Sequence, residues 1–144
     1  MMPEITFYQA DETIAKSLAP LLIKILEDKK RAMIFCSDQK QIAELDVALW
    51  TYGRHKFIPH AIVGDKEFEP ARQPVLISGQ EDNLNQANFL IFLQEPSDAF
   101  LSSFERVFYF FEERDFSEAK VLAKKMKPKN SYKKEEGKWV KFAL

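Results

Sequence analysis

CSDQKQIAELDVALWTYGRHKFIPH, residues 36–60, decides how the rest of the chain is read. An apolar run over residues 32–36 leads into it and reads as a strand. Ser37 and Asp38 follow. Asp38 is placed to cap a helix, and Gln41, three residues on, to reach back as in a capping box. Ile42, Leu45 and Leu49 then recur at helical spacing and form one core-facing stripe. Trp50 lies off that stripe. At about 100° per residue it sits roughly 100° round the helix from the stripe's centre, near Ala43 and Val47. Helical phase thus sets a large aromatic at the edge of the core, within reach of a partner. The helix stops before Gly53, and a polar loop leads to Phe57, Ile58, Pro59 and His60.

Upstream, residues 4–9 read as a buried strand through Ile5, Phe7 and Tyr8. A helix starts at Asp11 or Thr13 and carries Ile14, Leu18, Leu22 and Ile25. Lys29, Lys30 and Arg31 crowd its C-terminal end, where the dipole favours cations. Pro20 lies within it and is expected to kink it or mark a restart. This strand-helix-strand-helix order predicts a parallel sheet covered on both faces. Downstream, residues 61–63 read as a short strand or loop, and residues 75–78 and 88–93 as strands. Ser97 caps a short helix through Ser103, and residues 106–111 form the most aromatic strand. Asp115 caps a last helix that Pro128 stops. Residues 131–134 and 138–142 flank Glu136 and Gly137 and read as a hairpin. The fold expected is α/β: one three-layer α/β/α domain over residues 1–144, with a mostly parallel central sheet and a C-terminal antiparallel hairpin.

The length of 144 residues suits one domain, and a 46% hydrophobic fraction suffices for a core. No apolar run approaches the roughly 20 residues of a membrane span, and no signal-peptide pattern opens the chain. Cys36 is the single cysteine, which excludes an internal disulfide and a cysteine-based zinc cage and suits a cytoplasmic setting. Charge is uneven along the chain. Residues 1–115 hold 12 Lys/Arg against 19 Asp/Glu, whereas residues 116–144 hold 9 against 3. A basic C-terminal end on an acidic body suggests a local site for an acidic partner, the plain alternative being a solvated lysine-rich tail.

No catalytic constellation emerges. Nucleotide sites on such sheets use glycine-rich turns. The first strand-to-helix turn here is Gln9-Ala10-Asp11-Glu12, with two carboxylates that repel phosphate, and the chain has only four glycines. Residues 32–50 also look like the start of the second RecA-like lobe of a helicase. The loop after residues 75–78 lacks the Thr/Arg set such lobes use on ATP. A degenerate nucleotide-binding or helicase-like enzyme domain is therefore the rival reading. His55 and His60 are too few for a histidine-based metal site, and no G-x-S-x-G elbow is present. His60 reads as a satisfied structural residue. No cofactor or metal is expected. In the last helix, Ala119, Leu122, Ala123 and Met126 share the core side, and Lys120, Lys124 and Lys127 form a basic stripe beside it. Phe111 ends the strand that delivers the chain to this helix. Apolar residues flanked by lysines suit a short acidic peptide with an aromatic anchor; alternatively, the lysines only complement the helix dipole.

Leu45-Asp46-x-x-Leu49-Trp50 followed by Phe57-x-Pro59-His60 resembles the chi subunit of bacterial DNA polymerase III holoenzyme. Thr6-Phe7-Tyr8, residues 104–115, Ser131-Tyr132 and Gly137-x-Trp139 fit the same family, so the resemblance covers essentially the whole chain. It implies a non-catalytic accessory subunit that links the clamp-loader assembly to protein-coated single-stranded DNA. Its implied partner is the acidic, aromatic-ended C-terminal tail of single-stranded-DNA-binding protein, bound between residues 106–111 and the last helix. By position, Phe111 matches an apolar pocket residue and Lys124 a basic one. The next family position is aromatic and falls here on Met126 or Lys127, depending on a one-residue gap. The resemblance also implies a docking surface for the psi subunit at Trp50 and Phe57; the plain alternative for Trp50 is a part-buried aromatic. DNA is then contacted only indirectly, and no membrane is involved.

Overall fold

The computed structural model describes residues 3–52, 58–64 and 69–144. Its organising strand is β6 (Arg106–Glu112), where successive rings enter opposite faces of the sheet. Phe108 and Phe110 face one side, while Val107, Tyr109 and Phe111 face the other. β1 (Glu4–Ala10) lies parallel to it with Phe7 opposite Tyr109 and Tyr8 opposite Phe110. The remaining strands are β2 (Ala32–Phe35), β3 (Ala61–Ile62), β4 (Val75–Ser78), β5 (Phe89–Phe92), β7 (Asn130–Glu135) and β8 (Lys138–Lys141). They join one sheet in the order β3-β4-β2-β5-β6-β1-β7-β8. Every pairing is parallel except that of β7 with β8.

Because the middle strands are apolar on both faces, both faces must be covered. Helices α1 (Ile14–Glu27) and α2 (Gln39–Trp50) cover one through Leu18, Leu22, Ile42 and Leu45. Helices α3 (Asp98–Leu101) and α4 (Phe116–Met126) cover the other through Phe100, Leu101, Ala119 and Leu122. The result is the expected three-layer α/β/α arrangement with a mostly parallel sheet. Glu136 and Gly137 both have positive φ, 50° and 78°, which closes the expected hairpin. Only β8 runs antiparallel, since α4 carries the chain over β1 so that β7 returns in the parallel sense.

Three local expectations change, at Pro20, Gln41 and Asp115, and one open alternative closes. Thr13, not Asp11, starts α1, its hydroxyl accepting from Lys16 N at 3.2 Å. Pro20 neither breaks nor restarts α1, which runs unbroken through it. The proline sits on the exposed face, where the carbonyl left without a partner meets water. Asp38 caps α2 as expected, accepting from Lys40 N at 2.9 Å and Gln41 N at 3.3 Å. Gln41 does not reach back, however. Its Oε1 accepts instead from Gln94 Nε2 at 2.9 Å and lies 3.3 Å from Cys36 Sγ. Asp115 holds the N-cap position of α4 but makes no capping bond. With φ −100° and ψ 14° its backbone is near-helical, and the extended geometry that aims a capping side chain is missing.

The connection over residues 79–88 has no helix and returns along the sheet by side-chain bonding. Asn85 is fully buried and donates from Nδ2 to the carbonyls of Gln73 at 2.9 Å and Ala32 at 3.1 Å. Asn85→Ala, which leaves both carbonyls dry, should cost about 1–3 kcal/mol. Asn85→Asp, which sets a buried carboxylate against two carbonyls, should cost more than Asn85→Ala. Urea unfolding midpoints of both variants measure this order.

Candidate docking surfaces

Three surface features are built by this topology. The first is a groove beside the C-terminal end of α4. Lys127 closes the helix in the left-handed conformation, φ 51°, with its N–H donating to Ala123 O at 2.9 Å. Lys129 N then donates to Ile5 O at 2.9 Å and starts β7 beside β1. After β8, Phe142 N donates to Ser131 O at 3.0 Å and draws the last residues under the helix. The resulting groove of about 320 Å³ is lined by Ala123, Lys124, Lys127, Lys129, Phe142 and Leu144, among others. Lys124 and Lys127 are exposed and form no ion pair with the described residues. Lys125, by contrast, is bound to Glu95 on the other side of the helix.

The second feature is the outer face of α2. Val47 is 62% exposed and Trp50 45%, the two most exposed large apolar side chains of this helix. Behind Trp50 lies His60, 2% exposed, with ring centroids 4.7 Å apart.

The third is a cleft of about 740 Å³ at the C-terminal ends of the central strands, where the N-termini of α1, α2 and α4 converge. Doubly wound sheets place nucleotides in this crevice, phosphate against helix N-termini. Here Asp38, Glu44, Glu112, Asp115 and Glu118 line it against Lys40 and Arg114. Arg114 Nε is itself paired with Glu112 at 2.8 Å. The helix N-termini are thus complemented by the chain's own carboxylates, and a phosphate would meet their repulsion. Burial pushes the nearby Cys36 thiol above its ordinary value, away from the thiolate a nucleophile needs. Among the described residues, no group of His, Cys, Asp and Glu is arranged to hold a metal, and no helix is long and apolar enough to cross a membrane.

Sequence comparison supplies the family. The profile of DNA polymerase III chi subunit, HolC, matches residues 2–126. The chain belongs to the chi-subunit family. A probable chi subunit of Rickettsia prowazekii is 32% identical over 92 residues, 64% of this chain and 54% of that protein, so the match spans about half of its length. The chi subunit of Escherichia coli is 31% identical over 115 residues, 74% of this chain and 77% of that protein. That of Haemophilus influenzae is 27% identical over 103 residues, 72% and 71% of the two chains.

Within this chi-family fold, the residues singled out in the sequence separate. Lys124 and Lys127 come together in the groove. Lys120 sits one turn back, its Nζ 5.8 Å from the centre of the Phe116 ring. Met126 is half-buried and packs with Phe142 and Leu144 against the core on this side of the sheet. Phe111 is 1% exposed and lies in the core that Ala119 and Leu122 of α4 share. Trp50 is exposed as its phase implied, while Phe57 lies outside the described residues. Lys129, Phe142 and Leu144 were missed as groove residues. The signal for them is not periodic: it arises because β7 returns beside β1 and β8 folds back on it.

Tyr109 also borders the cleft. Burial first, then the Asp115 and Glu118 carboxylates, hold its hydroxyl up at about 12. A group held protonated more firmly in the folded state contributes stability fully below the unfolded value of about 10 and loses it as pH rises through the folded value. Stability should therefore fall between about pH 10 and 12. Tyr109→Phe, which removes the titration, should make that fall shallower, as urea midpoints across this range would read.

Proposed function

We propose that this chi-family subunit holds the acidic C-terminal tail of single-stranded-DNA-binding protein in the groove beside α4 and docks on the clamp-loader assembly, through its psi subunit, with the Trp50 face. It works as a non-catalytic tether and reaches DNA through the protein that coats it. The observation that carries this reading is the groove itself. Three lysines, Lys124, Lys127 and Lys129, stand round walls formed by Ala123, Phe142 and Leu144. That combination suits a peptide with carboxylates and one aromatic ring.

Magnitudes divide the work between the two. An exposed Lys–carboxylate pair adds only about 0.2–1 kcal/mol. A micromolar complex needs about −8 kcal/mol. Charge orients the tail and speeds its arrival, and burial of the ring must supply much of the remainder. Because Phe111 is buried, the anchor's contacts fall to the groove walls, Phe142 among them. The carboxylate-lined cleft supports the non-catalytic reading over a nucleotide-dependent one.

Fluorescence anisotropy with a labelled C-terminal peptide of the cognate single-stranded-DNA-binding protein tests the groove. Removing the peptide's terminal aromatic should cost more affinity than removing one acid. Lys124→Glu turns one attraction into a repulsion and should cost about 0.4–2 kcal/mol, roughly two- to thirtyfold. Its salt dependence should flatten as well. A Lys124→Glu protein that binds like the parent, with Trp50→Ala abolishing binding, would move the tail to the other face. For the second surface, Trp50→Ala should weaken clamp-loader binding by about 2 kcal/mol or more. Its effect on stability should stay well below the about 3–5 kcal/mol of a fully buried tryptophan.

A further inference from the structure

We infer that Asp46 and His60 are positioning residues for Trp50, a clasp that fixes the indole in its docking orientation; this rests on the Trp50 face being the clamp-loader surface. Exposed side chains on a helix ordinarily sample several rotamers, and ordering them on binding weakens the complex. Trp50 is nearly half exposed, yet it is held at both its edge and its face. Its indole Nε1 donates to Asp46 Oδ1 at 3.1 Å, one helical turn back. Its ring lies against the His60 imidazole, centroids 4.7 Å apart and planes inclined by 46°.

The two contacts are one unit. His60 Nε2 lies 2.9 Å from the same Asp46 Oδ1 that accepts the hydrogen bond of the indole N–H. His60 Nδ1 lies 2.7 Å from Ile58 O. The histidine side chain is fully buried, whereas that of Asp46 is 32% exposed. A buried imidazole anchored to the backbone therefore fixes a half-exposed carboxylate, and the carboxylate fixes an exposed indole. An apolar residue at position 60 would floor the ring but leave Asp46 free to turn to water. An indole N–H at the surface has water available, so its own desolvation does not call for Asp46. What the pair supplies is orientation. It also links the end of α2 to the segment entering β3, so the docking face is tied to the sheet edge rather than to one helix.

The chain has two tryptophans, so Trp139→Phe leaves Trp50 as the only indole reporter. In that background, Asp46→Ala should at least double the acrylamide quenching rate of Trp50 and lower its limiting anisotropy. Asp46→Ala also leaves the buried His60 Nε2 without its partner, so the melting temperature should fall modestly, and quenching is compared at a temperature where both proteins are folded. Asp46→Asn keeps an acceptor for the indole and should recover most of the parent's values. Against the reconstituted clamp-loader assembly of the same organism, Asp46→Ala should weaken binding about three- to tenfold. It should cost nothing further once Trp50→Phe has removed the N–H. Unchanged quenching and anisotropy in Asp46→Ala would overturn the clasp. Equal losses of binding with Trp50 or Phe at position 50 would also overturn it, since Asp46 would then act on the partner directly. If Trp50→Ala binds the assembly like the parent, the docking reading fails, and the quenching arm still decides the clasp.

Discussion

The alternation of rings along β6 is the constraint on which the other features depend. A strand that sends Phe108 and Phe110 to one face and Tyr109 and Phe111 to the other cannot leave either face wet. Its neighbour β1 matches it ring for ring. Tyr8 stacks on Phe110 at 4.8 Å, and Phe7 meets Tyr109 edge-on at 5.0 Å. Such pairs are worth about 0.5–1.5 kcal/mol each beyond the area they bury. Helices must then pack on both sides. The side that receives Phe111 is the side on which α4 lies, which fixes where its lysines can stand.

Electrostatics then separates the edges of the sheet. Asp38, Asp115 and Glu118 sit where helix N-termini converge, and their charge offsets the positive ends of those helices. The crevice that serves nucleotides in related architectures is thereby filled with the wrong sign. Lysines outnumber carboxylates around the C-terminal end of α4 and on β7 and β8, where Glu135 and Glu136 at the hairpin are the acids. The α2 and α4 helices lie on opposite faces of the sheet, so the groove beside α4 and the Trp50 surface are separate.

The Trp50 surface shows how a side chain can be at once structural and available. His60 is buried, with Nδ1 2.7 Å from Ile58 O and Nε2 2.9 Å from Asp46 Oδ1 at the surface. A single shared oxygen on Asp46 converts that internal order into order at the surface.

Much was legible from sequence alone because it depends on neighbours along the chain. Apolar runs and helical stripes located the described elements to within a few residues. The Asp38 cap, the Glu136-Gly137 turn and the exposure of Trp50 follow from local geometry and phase. The chi resemblance likewise rests on the order of short motifs. Tertiary structure decided what depends on residues far apart. Gln41 left its capping role because Gln94, 53 positions away, offers a side-chain bond. Phe111 is buried because α4 packs on the face of the sheet that its ring enters. Lys129, Phe142 and Leu144 joined Lys124 and Lys127 only because β7 pairs with β1 at the far end of the chain. Periodicity assigns a side chain to one face of its own element. Which other element meets that face is set by strand order, and strand order follows from burying the whole aromatic sheet at once.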